Sequence, residues 1–229
     1  SIIVKAVVGG IKSLLGKEAC YILGERATPK SIVAGTGGSS VATLRHHLVE
    51  AKPFNTMKFV SARGSMRNDV SLQANTLVSQ FAKKCGGQYH TLLLPEFLSE
   101  QAYTLMMEEP IVKETVQLYD DINIVIHGIG TASEMGKRRS MQPADYEQLI
   151  NKGAVGEAFG YYFDAMGNVV YRIQTVGIQI EQVKKSELIL AIAGGKSKAM
   201  AIEAYFKIAA KHTVLITDEG AADEILSRL

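Results

Sequence analysis

The chain has 229 residues, 47% of them hydrophobic, with 25 lysines and arginines against 23 aspartates and glutamates. That balance excludes a disordered or fibrous polypeptide and can furnish the core of one large α/β domain or two small ones. A net charge of +2 lacks the concentrated basic stripe of a free-standing nucleic-acid binder, and apolar runs of about six to eight residues fall short of the roughly 20 a membrane span needs.

Up to about residue 28 the sequence reads as an N-terminal helical or linker segment, loosely attached to a single domain spanning 1–229. From there a β-branched run, a glycine or polar turn and a helical period recur. Strand 31–35 precedes helix 39–50, strand 57–62 precedes helix 69–85, and strand 89–94 precedes helix 99–108. Helix 112–120 then leads into strand 122–127, strand 187–193 into helix 196–210, and strand 213–217 into helix 219–228. In 69–85, Val70, Ala74, Leu77, Val78, Phe81, Ala82 and Cys85 share one face at 3.6 residues per turn, with Asp69 as cap and Gly86-Gly87 as terminator. Pro110 and Pro143 are placed to open helices, while Pro53 and Pro95 fall in loops. One stretch breaks the rhythm: 157–174 carries two β-prone runs around a turn near 164–168, a hairpin expected to cover or extend a sheet edge. The fold class is therefore α/β, a Rossmann-like, doubly wound, mostly parallel sheet with a late β-hairpin.

Ligands in open parallel sheets bind beyond the carboxyl ends of the strands. After the first strand comes Gly35-Thr36-Gly37-Gly38-Ser39-Ser40, running into a helix. Such a loop can turn N–H groups and two hydroxyls toward an anion, although bare glycine turns at this junction are also common. Ala193-Gly194-Gly195-Lys196-Ser197-Lys198 repeats the design, and cations at a helix start are disfavoured unless they serve an anion. Lys198 is the better candidate, with Lys196 read as facing water. A nucleotide phosphate loop would need glycine where Leu190 stands; a dinucleotide fingerprint would need glycine at Ser40 and an acid where the chain has Arg63.

Arg63, at the end of the second strand, can chelate phosphate oxygens in a fork. Gln73 either reaches ligand hydroxyls or faces water. Lys137, Arg138 and Arg139 either close over a ligand or form a solvated run, and Glu157 is a carboxylate ahead of the hairpin. His46, His47, His90, His127 and His212 lack ligand spacing, so no metal site is expected. Cys20 and Cys85 form no CxxC pair and read as reduced thiols of a cytosolic protein. Asp218-Glu219-Gly220 reads as a helix cap in preference to an acid/base pair.

The stretches GTGGSS, SARG with QANT, EEPIVKE, VIHGIG, GEAFGYYFDAMG, AGGKSKAMAIEAYF and TDEGAA together resemble the sugar-binding effector domain of SorC/DeoR-type bacterial transcription regulators. The resemblance runs from about Gly16 to Leu226. It implies a fold similar to glucosamine-6-phosphate deaminase and ribose-5-phosphate isomerase, no cofactor, and a phosphosugar effector. In the branch governing glycolytic genes that effector is fructose 1,6-bisphosphate. By resemblance, Gly37, Gly38, Ser39, Ser40 and Lys198 would hold one phosphate, Arg63 and Arg138 the other, and Gln73 and Glu157 the sugar hydroxyls. The serine pair departs from the threonine pair common in this loop, keeping both hydroxyls and losing two methyl groups. The resemblance further implies a cytoplasmic homodimer or tetramer. Operator DNA would be bound by an N-terminal helix-turn-helix domain to which nothing in this chain is similar. A phosphosugar isomerase or deaminase on the same fold is the alternative, yet its catalytic carboxylate set cannot be placed on these motifs.

Overall fold

A computed structural model describes residues 11–66 and 69–228. In chain order the elements are α1 (Ile11–Arg26), β1 (Ile32–Gly35), α2 (Ser39–Ala42), β2 (Lys58–Ser61), α3 (Ala74–Cys85), β3 (Gln88–His90), α4 (Glu100–Glu108), α5 (Pro110–Gln117) and β4 (Ile124–Gly128). They continue with β5 (Gly130–Thr131), α6 (Ala132–Arg138), α7 (Pro143–Asn151), β6 (Ala154–Ala158), β7 (Tyr161–Asp164), β8 (Val169–Arg172) and α8 (Ile180–Val183). The last four are β9 (Leu188–Ile192), α9 (Ala199–Ile208), β10 (Thr213–Ile216) and α10 (Glu219–Leu226). No helix among the described residues is long and apolar enough to cross a membrane.

Six strands form one parallel sheet in the order β10-β9-β4-β1-β2-β3. The apolar runs of β4 and β9 follow from burial on both faces. Ile124, Ile126, Leu188, Leu190 and Ile192 point to one side, into a core shared with α1 and α3. Val125, Ile189 and Ala191 point to the other, among α9 residues such as Ile202 and Tyr205. Each such side chain, once fully buried, contributes about 1.5–3 kcal/mol. Both thiols lie in the first core, where burial pushes Cys20 and Cys85 up to about 12, far from reactive thiolates.

Several expectations change in detail. The stretch before residue 28, expected as a loose attachment, supplies α1, whose Leu15, Ala19 and Leu23 are fully buried against the sheet; residues 1–10 lie outside the described part. Helix 39–50 reduces to the single turn α2 and a 3₁₀ turn at Thr43–His46, as the Thr43 hydroxyl donates to the Ser40 carbonyl at 2.6 Å. Asp69 caps a separate 3₁₀ turn, Val70–Leu72, through the Ser71 amide; α3 starts only at Ala74, leaving Val70 exposed. Strand 89–94 ends at His90, because the Asn75 side chain takes over the Leu92 amide and carbonyl, both at 2.8 Å.

The late hairpin does not extend the parallel sheet, although Phe159, Tyr161 and Phe163 share a core with Val60, Val125 and Ile189 of that sheet. It belongs to a separate antiparallel sheet, β5-β6-β7-β8. The run expected as one strand from residue 157 folds back at Phe159 and Gly160, whose φ values of 56° and 86° make a tight two-residue turn.

Candidate functional site

Strand order reverses between β1 and β4, so the loops after these two strands diverge and leave a crevice. All nine sequence-selected residues, Gly37, Gly38, Ser39, Ser40, Arg63, Gln73, Arg138, Glu157 and Lys198, line this one cleft. Glu96, Ile129, Glu134 and Arg139 are among the other residues of its wall.

The glycine loop needs its glycines for two different reasons. A Cβ on Gly37 would sit 2.5 Å from the Leu72 carbonyl oxygen and 3.1 Å from the Ala74 nitrogen, because the loop packs directly on the start of α3. Gly38 has φ 115° and ψ 158°, a region closed to other residues, while its amide donates to the Leu72 carbonyl at 2.8 Å. The first helical bond of α2 runs from the Ala42 amide to Gly38, so the Ser39, Ser40 and Val41 amides precede the ladder and face the cleft end of the loop. With α2 a single turn, these amides act individually and little macrodipole stands behind them. Gly38→Ala is expected to cost about 1–3 kcal/mol through its backbone alone. Chemical denaturation checks this, and a change below about 0.5 kcal/mol would contradict the conformational argument.

Around this loop the cations form no direct salt bridge among the described residues, although Glu134 lies near enough to act on Lys198. Lys198 Nζ donates to the Ile129 carbonyl at 3.2 Å, and Lys12 Nζ, on α1, donates to Ser39 Oγ at 3.3 Å. Among the described residues neither of them, nor Arg138 in the last turn of α6, pairs with a carboxylate. Burial lowers the Lys198 ammonium below the usual lysine range; Glu134 opposes this, and Lys12 and Arg138 reinforce it. Lys196, in contrast, turns outward to Glu224 at 3.2 Å, in keeping with a residue facing water.

The opposite wall carries a buried ionic cluster of two arginines and two glutamates. Arg139 donates to both oxygens of Glu96, at 3.0 and 3.1 Å, to Glu157 Oε1 at 3.0 Å and to the Tyr162 hydroxyl at 2.9 Å. Arg63 Nη2 also donates to Glu96 Oε1, and the Gly160 amide donates to Glu157 Oε1 at 2.6 Å. Burial pushes Glu96 up, but Arg63 and Arg139 outweigh it and hold the carboxyl below its usual range. Gln73 is the N-cap of α3, not a residue within it, and its side-chain amide donates to the Met66 carbonyl at 2.7 Å.

Sequence reasoning missed Glu96, Tyr162 and Lys12. Arg139 was visible as one of three consecutive cations, and only the turn ending α6 decides that it points inward while Arg138 stays half-buried. Glu96 carried no local signal; it is drawn in by the bridge between Ser65 and Pro95. Asp218 is a cap, with Oδ1 accepting from the Ala221 amide at 2.8 Å and Oδ2 from the Gly195 amide at 2.6 Å, which also pins the second glycine loop. Among the described residues no group of histidines, cysteines and carboxylates could hold a metal.

His127 lies beneath the cleft, fully buried between Phe159 and Tyr205, with Nδ1 3.0 Å from the Gly128 carbonyl and Nε2 3.1 Å from the Tyr205 hydroxyl. Burial holds its pKa down at about 4, against 6.5 for a free imidazole. The unfolded chain therefore takes up this proton at a higher pH than the folded one, and stability falls as pH drops from 6.5 towards about 4. Between pH 7 and pH 5 the loss should be about 2 kcal/mol. Urea denaturation at the two pH values checks this, and the same loss in His127→Gln would assign it to other groups.

Residues 2–227 match the protein family described as "Putative sugar-binding domain". The central glycolytic genes regulator of Bacillus subtilis is 41% identical over 216 residues, which cover 94% of this chain and 63% of the regulator. The chain thus spans less than two thirds of that curated relative. A solved structure titled as "the putative SorC family transcriptional regulator from Enterococcus faecalis" superposes with a TM-score of 0.90 at 38% identity, covering 98% of this chain and 93% of that one. The full-length sorbitol operon regulator SorC of Klebsiella pneumoniae shares the fold alone, with a TM-score of 0.87 at 17% identity over 98% of this chain and 76% of that one. From the strand-end crevice to the antiparallel sheet beside it, the chain belongs to the sugar-binding domain family and is similar throughout to a SorC family transcriptional regulator.

Proposed function

We propose that the domain is the non-catalytic sensor of a transcriptional repressor of glycolytic genes, and that its ligand is a phosphorylated sugar, fructose 1,6-bisphosphate foremost. The observation that carries this reading is the group of cations, Lys12, Lys198 and Arg138, that form no salt bridge among the described residues around a glycine loop bearing two serine hydroxyls at the strand-order reversal. A dianion answers that arrangement better than a neutral sugar does. The name of the Bacillus relative supports a glycolytic ligand. Ser39, Ser40, the Gly37-Gly38 backbone and Lys198 take one phosphate, Arg63 and Arg138 the other, and Gln73 and Glu157 the hydroxyls. Ligand binding shifts the packing between protomers of a cytoplasmic dimer or tetramer and weakens the hold of an N-terminal domain on operator DNA. Such a switch needs only different affinities for two conformations. Both oxygens of Asp218, the acid nearest the last strand, are committed to backbone amides, one capping α10 and one pinning the second glycine loop, which supports a sensor over a phosphosugar isomerase or deaminase.

Thermal unfolding with a panel of glycolytic phosphosugars tests the proposal. Bisphosphate at about 100 times its Kd should add about 2.7 kcal/mol, raising Tm by about 5–10 °C, while free fructose leaves Tm unchanged. An equal effect of both sugars overturns the phosphosugar reading. Turnover of glucosamine 6-phosphate or ribose 5-phosphate above trace rates overturns the sensor reading.

A further inference from the structure

We propose that Glu96 is an internal anion that competes with the ligand's phosphate for Arg63, and so sets how strong an anion must be to enter this end of the cleft. The inference rests on the phosphosugar reading above and deepens it by naming a specificity residue that does not itself touch the ligand.

The two arginines are held very unequally. Arg139 satisfies both Glu96 oxygens, bonds Glu157 and Tyr162 besides, and has a side chain only 2% exposed. Arg63 makes one hydrogen bond within the cluster, to Glu96 Oε1; its Nη1 lies 3.9 Å from Glu157 Oε1, and its Nε is buried without a partner among the described residues. Withdrawing Arg63 therefore leaves neither oxygen of Glu96 bare, since Arg139 remains on both. Arg63, with a donor unused, gains from meeting a phosphate that offers several acceptor oxygens. The two guanidiniums thus divide the work: Arg139 is the fixed anchor of both carboxylates, and Arg63 is the exchangeable one.

The exchange has a threshold. A dianionic phosphate outbids a single carboxylate oxygen for Arg63, while a hydroxyl or a carbonyl offers too little to displace it. Excluding weaker partners by an attraction they cannot match is selectivity by competition within the free protein. Glutamine at this position keeps an acceptor oxygen for Arg139 and removes the charge that detains Arg63.

Isothermal titration of wild type and Glu96→Gln with fructose 1,6-bisphosphate and with fructose tests the proposal. Glu96→Gln should bind the bisphosphate about tenfold more tightly, the size of one charge-assisted hydrogen bond no longer lost on binding, with no gain for fructose. A purely structural role for Glu96 moves affinity the other way, so unchanged or weaker bisphosphate binding by the variant overturns the inference. Should Glu96→Gln fail to fold, the ¹⁵Nε signal of Arg63 in wild type, assigned through its loss in Arg63→Lys, gives the same decision. Bisphosphate should move that signal while the Arg139 signal holds, and an unmoved Arg63 signal with ligand bound overturns the inference. If wild type binds no phosphosugar at all, the proposed function fails first and this inference falls with it.

Discussion

Arg139→Ala is expected to lose about 3–5 kcal/mol of unfolding free energy, whereas Arg138→Ala, one residue earlier, stays within about 0.5 kcal/mol. The contrast follows from what each guanidinium leaves behind. Removing Arg139 strands the carboxylates of Glu96 and Glu157, which are 2% and 5% exposed, with only Arg63 to share between them. It also takes away the donor to the Tyr162 hydroxyl, which burial already pushes up to about 12. An uncompensated buried charge costs far more than the net worth of the pair it came from. Arg138 is half-buried on the cleft wall without an ion pair among the described residues, so its loss removes little folding energy. Urea denaturation of both variants without ligand decides the matter; similar losses would mean that the ionic cluster is not the element holding this wall.

Lys198→Met is expected to weaken fructose 1,6-bisphosphate binding by about 10- to 100-fold, corresponding to one charge-assisted hydrogen bond, without destabilising the free domain. The ammonium is mostly buried, its one hydrogen bond goes to the neutral Ile129 carbonyl, and its proton affinity is depressed by burial and by the neighbouring Lys12 and Arg138. An apolar chain of similar length removes that desolvated charge, so the unliganded variant should be as stable as wild type or more so. Calorimetry for binding and denaturation for stability read the two effects separately. Equal weakening for bisphosphate and for neutral fructose would remove Lys198 from the phosphate site.

The legible part of the site was the part written locally. Gly37, Gly38, Ser39, Ser40, Arg63 and Lys198 all follow strands directly, and a strand-end rule places such loops at one edge without knowledge of the strand order. The parallel sheet itself was readable from apolar runs such as Leu188–Ile192, which carry no alternation because both faces are covered. What escaped was set by contacts distant in sequence. Asn75 ends β3 by bonding Leu92, and α1 becomes core only because α2 and the sheet lie beneath it. Glu96 and Tyr162 join Arg139 across 43 and 23 residues, and no periodicity marks either one. The hairpin was visible as β-prone residues around a turn. Its place in a second sheet depends on β5 pairing with β6, a two-residue strand too short to announce itself.

Recognition of a phosphorylated sugar by the cations at the strand-order reversal is the core of the proposal. Its most direct test is a pair of calorimetric titrations of the domain, one with fructose 1,6-bisphosphate and one with fructose at the same concentrations. The expected result is saturable binding of the bisphosphate and no heat of binding for fructose. Equal affinity for the two, or no binding of either, would contradict the account.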